Sequence, residues 1–221
     1  MSVWALLVAA GAGERLGEER PKAFVRLGEL PLLAEPLRRL DDSAWVDAIV
    51  VAAPPGWEEP AILLAEELSA TKVVASVTGG PTRAESVRAA LAEVPEDALV
   101  ALVHDAARPL VPDDVIERVL GPLSEGWDGV VPALPLTDTI KSVEGEQVIG
   151  TLSRETLVAV QTPQAFLSTS LRAAYAGELA GATDCASLVE ANGGKVRWVL
   201  GDPRLLKVTT PADLELVSSW L

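Results

Sequence analysis

The apolar positions of this chain fall into short unbroken runs separated by longer stretches of helical spacing. Val3 to Ala10, Ala48 to Ala53, Lys72 to Val77, Ala98 to Val103 and Gly129 to Leu134 read as strands buried on both faces, because their apolar residues do not alternate with polar ones. Between them lie Leu32 to Leu40, Trp57 to Ser69, Arg83 to Glu93 and Asp113 to Leu123, each with the spacing of a helix. Pro36 must sit in the first turn of the first helix or distort it, and in the third Val87, Ala90 and Leu91 share one face. Strands and helices alternating at this interval predict an α/β fold with a doubly wound, mostly parallel open sheet of Rossmann-like type.

The rhythm breaks between Pro135 and Gln161. Thr139 to Val143 and Val148 to Leu152 flank Glu144-Gly145-Glu146-Gln147, the pattern of a β-hairpin inside an otherwise parallel fold. A lone hairpin has no sheet to cover its apolar residues, so residues 136–158 are expected to form a protruding arm that packs on a second subunit. After Ala159 to Phe166 come two helices, Ser168 to Leu179 and Asp184 to Ala191, the second stopped by Asn192-Gly193-Gly194. Val196 to Leu200 and Leu206 to Thr209 read as short last strands, and Pro211 opens a closing helix in its first turn. No repeat, linker or low-complexity segment interrupts the chain, which is expected to be one domain, residues 1–221, with 136–158 as its dimerisation arm.

The first strand runs into Gly11-Ala12-Gly13-Glu14-Arg15-Leu16-Gly17, and Pro21-Lys22 follows after a short spacer. Glycines let a backbone present its N–H groups close to a polyphosphate, and Arg15 and Lys22 can add full positive charges. The dinucleotide fingerprint would need glycine where Leu16 stands, and the P-loop would need Gly-Lys-Ser/Thr, so neither applies. On the loop alone, a plain strand-to-helix turn with surface charges stays open.

Composition narrows the partners. With 32 acidic against 18 basic side chains, the net charge of −14 repels nucleic acid and anionic membranes. A phosphorylated ligand must therefore be drawn by local charge, and Arg15, Lys22, Arg83, Arg108, Lys141, Arg154 and Lys207 all fall at expected strand ends or loops. One cysteine, Cys185, excludes an internal disulfide and a cysteine-cluster metal site, and a cytoplasmic location is expected. The first strand lacks the basic flank and cleavage site of a signal peptide.

Three further strand ends carry unusual residues: Gly79-Gly80-Pro81-Thr82-Arg83-Ala84-Glu85-Ser86, His104-Asp105-Ala106-Ala107-Arg108-Pro109 and Leu206-Lys207-Val208-Thr209. Ligands of doubly wound sheets bind outside such ends. Gly-x-Gly-x-Arg-x-Gly with Pro-Lys resembles the signature of sugar- and alditol-nucleotide pyrophosphorylases. The four segments together, in this order and over nearly the whole chain, resemble the 2-C-methyl-D-erythritol 4-phosphate cytidylyltransferase family of nucleotidyltransferases.

The resemblance implies that Ala9, Ala10, Gly11 and Gly13 form the nucleotide loop, with Arg15, Lys22 and Lys207 as the catalytic cations. Gly80, Arg83 and Ser86 would surround the cytosine, and Asp105, flanked by Ala106, would contact ribose and a Mg²⁺ ion. Arg108, Asp138, Thr139, Arg154, Thr162, Thr183 and Asp184, again with Lys207, would bind the sugar phosphate, Thr139 and Arg154 reaching across a homodimer. Cys185 stands where the family usually has an acidic residue and Leu205 where it has asparagine.

These residue types fit the reaction on chemical grounds. A phosphate monoester attacking the α-phosphorus of CTP brings two anions together, so the catalyst must neutralise and align rather than supply a nucleophile. Cytidylyl transfer to another alditol phosphate, such as ribitol 5-phosphate, would use the same nucleotide half. A nucleotide-sensing domain would tolerate loss of one lysine, and a hydrolase on His104-Asp105 lacks a nucleophile-elbow serine. His104, the single histidine, reads as a packing or hydrogen-bonding residue rather than a base.

Overall fold

A computed structural model describes every residue except 1, 12, 14, 15, 18 and 19. Strand β1 (Val3–Val8) lies inside the main sheet, pairing in parallel with β4 (Ala48–Ala53) on one side and β6 (Val100–Asp105) on the other. Alternate residues of β1 serve opposite faces, as the pleat requires. Val3, Ala5 and Leu7 pack with α1 (Ala34–Asp42), α2 (Glu58–Glu67) and α4 (Asp113–Leu120), whereas Leu6 packs with α3 (Arg83–Ala92). The continuous apolar runs at Val3–Val8, Ala48–Ala53 and Val100–Asp105 are thus explained, both faces being covered, whereas the run expected at Lys72 to Val77 falls on the sheet edge and leaves Val74 exposed.

β5 (Val73–Thr78) continues the parallel set beyond β4. On the other side β11 (Gln164–Leu167) runs antiparallel between β6 and β7 (Gly129–Pro135), β10 (Val158–Val160) pairs antiparallel with β7, and β12 (Val196–Leu200) pairs with β7 in parallel. The antiparallel β11 has a functional consequence: its leading residues reach the same sheet edge as the trailing residues of β6. A small hairpin, β2 (Arg26–Leu27) with β3 (Leu30–Pro31), follows the first loop. The pattern reading did not contain it because two-residue strands carry no periodicity.

Helix ends differ from expectation where backbone chemistry intervenes. α4 stops at Leu120 and becomes a 3-10 turn over Gly121–Glu125, since Pro122 has no N–H to continue the ladder. α5 (Ser168–Tyr175) is shorter than expected, and α6 (Cys185–Ala191) takes Asp184 as its N-cap. The strand expected over Leu206 to Thr209 is absent. A 3-10 turn at Pro203–Leu205 precedes irregular backbone there, tied to the rest by Val208 N–H donating to Ala107 O at 2.8 Å, with Val208 buried. α7 (Pro211–Ser218) starts at Pro211 behind a Thr210–Asp213 capping box.

β8 (Ile140–Glu144) and β9 (Gln147–Leu152) form a separate two-stranded antiparallel sheet. Val143, Val148, Ile149 and Leu152 are exposed there, Val148 and Ile149 each at 57%. Among the described residues no helix is long and apolar enough to cross a membrane.

Candidate functional site

Two cavities open at the carboxyl edge of the parallel strands. The first, about 470 Å³, is lined by Ala9, Ala10 and Gly11 after β1, by Gly80, Arg83 and Ser86 around the start of α3, and by Asp105 and Ala106 at the end of β6. Lys22 and Lys207 also line it, so all the nucleotide-side residues expected from sequence meet here except Gly13 and Arg15. Arg15 lies outside the described residues.

Small residues make this cavity possible. A Cβ on Gly79 would overlap Ala10 Cβ, and one on Gly80 would overlap Glu85 Cβ. Gly13 has φ of +74°, and a Cβ there would fall 2.6 Å from Lys22 Cβ. Its absent side chain thus lets Lys22 pass, a reason distinct from phosphate approach. Lys22 itself begins a 3-10 turn, Lys22–Phe24, anchored by buried Ala23 and Phe24. α3 is fixed by a reciprocal capping box between Thr82 and Glu85, which sets Arg83 as its first residue.

Arg83 has the position least suited to a cation, and the structure shows what compensates. Its Nε donates to Asp105 Oδ1 at 2.8 Å, while Lys207 Nζ donates to Asp105 Oδ2 at 2.7 Å. Burial opposes ionisation of Asp105, but the two cations outweigh it and hold the carboxyl well below the usual carboxylate range.

Arg83, Asp105 and Lys207 also form one wall of the second cavity, about 430 Å³, which includes Arg108, Thr162, Thr183 and Asp184. Five residues expected to contact the sugar phosphate therefore converge. Three buried polar atoms on its lining residues have no partner among the described residues: Arg83 Nη2, Arg108 Nε and Gln164 Oε1. Elsewhere these side chains are committed. Arg108 Nη1 donates to Leu205 O at 2.6 Å, and Gln164 Nε2 donates to Asp184 Oδ2 at 2.8 Å. Asp184 also accepts from Ser187 N–H as the cap of α6. Gln161, Ser187 and Glu190 line the cavity too; no motif singled them out, since polar residues on a loop and a helix face carry no local signal.

Asp138, Thr139 and Arg154 stand apart. They are exposed at the base and flank of the hairpin and line neither cavity of their own chain, and Arg154 donates to Thr137 O.

His104 is fully buried at the end of β6. Its Nε2 lies 2.9 Å from Arg108 O and its Nδ1 3.1 Å from Thr162 Oγ1, which also accepts from Asp105 N–H at 3.0 Å. Burial pushes the ring down to about 4, so it is neutral at physiological pH. Cys185 is buried as well, with Sγ 3.1 Å from Tyr175 Oη and 3.4 Å from Arg83 Nη1, and burial pushes its thiol up.

The donor set offers little to a metal by itself. No group of three or more His, Cys, Asp or Glu is placed to hold one among the described residues, and both Asp105 oxygens already accept from cations. The protein atoms present do not build a resident metal site.

Two adjoining cavities at the carboxyl edge of a doubly wound sheet share one ion-pair cluster, an arrangement that fits the nucleotidyltransferase class. The chain belongs to the 2-C-methyl-D-erythritol 4-phosphate cytidylyltransferase family, whose model matches residues 3–221. It is 49% identical over 221 residues to the enzyme of that name from Nocardia farcinica, covering 100% of this chain and 94% of the relative. The corresponding enzyme of Streptomyces coelicolor is 42% identical, with 98% and 84% covered. Among solved structures, that of the Thermus thermophilus enzyme superposes with a TM-score of 0.78 at 34% identity, covering 97% of this chain and 96% of that one. The Francisella tularensis enzyme gives 0.85 at 28% identity, with both chains fully covered.

Proposed function

We propose that this chain transfers the cytidylyl group of CTP to 2-C-methyl-D-erythritol 4-phosphate, giving 4-diphosphocytidyl-2-C-methyl-D-erythritol and pyrophosphate in isoprenoid biosynthesis. Family membership over the whole chain supports the reaction. The observation that carries the site is the sharing of Arg83, Asp105 and Lys207 by two cavities: the junction of donor and acceptor is where a transfer must occur.

The first cavity takes CTP. Its walls of alanine, glycine and proline leave room for a pyrimidine, and Lys22 and Lys207 on its lining would meet the triphosphate, with Arg15 assigned as a further cation by the family resemblance alone. The second takes the acceptor, whose phosphate suits the unpartnered guanidinium N–H groups of Arg83 and Arg108 and whose hydroxyls suit Gln164, Thr162, Thr183 and Asp184. A phosphate oxygen of the acceptor bonds to the α-phosphorus, the bond from that phosphorus to the bridging oxygen breaks, and pyrophosphate leaves with the electron pair. No proton need move. The chain's contribution is alignment and neutralisation of charge that builds on the α-phosphate oxygens.

Mg²⁺ would belong to the substrate, neutralising charge on the triphosphate, and Asp105, the carboxylate that lines both cavities, would be the residue to meet it. The enzyme works as a homodimer, one globular domain of 221 residues with the 136–158 arm. Exposed Val148 and Ile149 on that arm need cover, and Asp138, Thr139 and Arg154, which line neither cavity of their own chain, would serve the partner's acceptor cavity. The reaction is placed in the cytoplasm, in keeping with the free Cys185.

Pyrophosphate release tests the reading, with each nucleoside triphosphate set against 2-C-methyl-D-erythritol 4-phosphate and ribitol 5-phosphate. Release with CTP and the methylerythritol phosphate alone is expected. Release only with ribitol 5-phosphate would overturn the acceptor, and none with any pair would overturn transfer itself.

A further inference from the structure

We infer that His104 is a positioning residue that fixes the Thr162 hydroxyl as a hydrogen-bond acceptor, so that the second cavity recognises a ligand O–H group at that point. The inference rests on the reading of that cavity as the acceptor site.

The polarity follows from counting donors. Arg108 O is a carbonyl and can only accept, so the proton of a neutral His104 ring sits on Nε2, 2.9 Å away. Nδ1 is then a bare lone pair, and Thr162 Oγ1 at 3.1 Å must donate to it. A threonine hydroxyl has one proton and two lone pairs. The proton goes to His104 and one lone pair receives Asp105 N–H at 3.0 Å. One lone pair is left, on a residue that lines the cavity. His104 is fully buried, with a carbonyl and a hydroxyl as its ring partners, a setting that disfavours a charged ring.

The cavity therefore sorts its polar contacts. Thr162 Oγ1 and Gln164 Oε1 accept, whereas Arg83 Nη2 and Arg108 Nε donate. A phosphorylated polyol satisfies both sets. A ligand offering only acceptor oxygens to Thr162 meets lone pair against lone pair. The relay also joins both substrates' walls, because Thr162 holds the backbone of Asp105 while His104 holds that of Arg108.

The single histidine makes the tautomer directly readable. In ¹⁵N-labelled protein at neutral pH, the two-bond nitrogen–proton spectrum is expected to show a protonated, pyrrole-like Nε2 and a bare, pyridine-like Nδ1. A proton on Nδ1 would overturn the relay. Kinetics then separate its two ends. His104→Gln keeps a donor for Arg108 O but offers Thr162 no acceptor, so KM for the acceptor is expected to rise up to about tenfold, the worth of one oriented hydrogen bond, with KM for CTP unchanged. His104→Asn returns an acceptor oxygen near Nδ1 and should recover most of that loss. Of the monodeoxy acceptors, one should lose as much with the wild type as Thr162→Val loses with the intact substrate, and nothing more with the variant. Equal rises in both KM values, or no rescue by asparagine, would leave His104 a structural residue and refute the assignment. A wild type that does not turn over would refute the reading of the cavity, which the spectrum does not test.

Discussion

Lys207 and Asp105 are 102 positions apart in the chain, and Lys207 Nζ lies 2.7 Å from Asp105 Oδ2. The other oxygen accepts from Arg83, so a single carboxylate orders one cation from the start of α3 and one from the segment before α7.

Replacing that carboxylate by its neutral isostere should disturb stability and rate together. Asp105→Asn leaves partly buried Arg83 without a counter-charge, and a loss of about 1–3 kcal/mol is expected, discounted because Lys207 is 41% exposed. Urea unfolding measures it. An unchanged midpoint with full turnover would show that the cluster matters to neither.

The lysines should behave differently. Lys207→Ala, at a partly exposed side chain, is expected to keep the fold and lower turnover by roughly two to four decades, as loss of a transition-state charge does. Lys22→Ala should lower turnover similarly. Steady-state kinetics with far-UV circular dichroism on the same samples decide this, and near-normal turnover in both variants would contradict the charge roles.

Much of the sheet could be read from the chain because a doubly covered strand leaves an unbroken apolar run: Ala48–Ala53, buried throughout, was expected with the bounds observed. The site was legible where glycines and charges sit at strand ends. The strand expected at Leu206 to Thr209 failed because four residues of mixed polarity fit a buried loop equally well, Val208 being held by one hydrogen bond to Ala107. The join between cavities was not legible at all. It depends on β11 running antiparallel, which brings Thr162 to His104 and Asp105, and strand direction leaves no mark on local composition.

Acid should weaken the fold through His104. Its folded value is depressed from 6.5 to about 4, so the stability it contributes is fully present above pH 6.5 and is lost as the pH falls toward 4. The full span is on the order of 3 kcal/mol. Asp105, depressed as well, adds a loss of the same sign at lower pH. Urea midpoints at pH 7 and pH 5 measure the first effect. His104→Gln should flatten it, and an equal slope in that variant would assign the acid sensitivity elsewhere.

The hairpin is expected to carry dimerisation. Val148→Asp with Ile149→Asp places two charges among its exposed apolar residues, and sedimentation velocity should show the wild type as a dimer and the double variant as a monomer. Arg154→Ala should leave the dimer intact and raise KM for the sugar phosphate. A monomeric wild type, or a double variant still dimeric, would contradict the arm's role.

The transfer itself is tested most directly by labelling the acceptor. With CTP and 2-C-methyl-D-erythritol 4-phosphate carrying ¹⁸O in its phosphate, attack at the α-phosphorus predicts that all label stays in the cytidylylated product, equimolar with unlabelled pyrophosphate. Label in pyrophosphate, or inorganic phosphate released without a diphosphate product, would contradict the account.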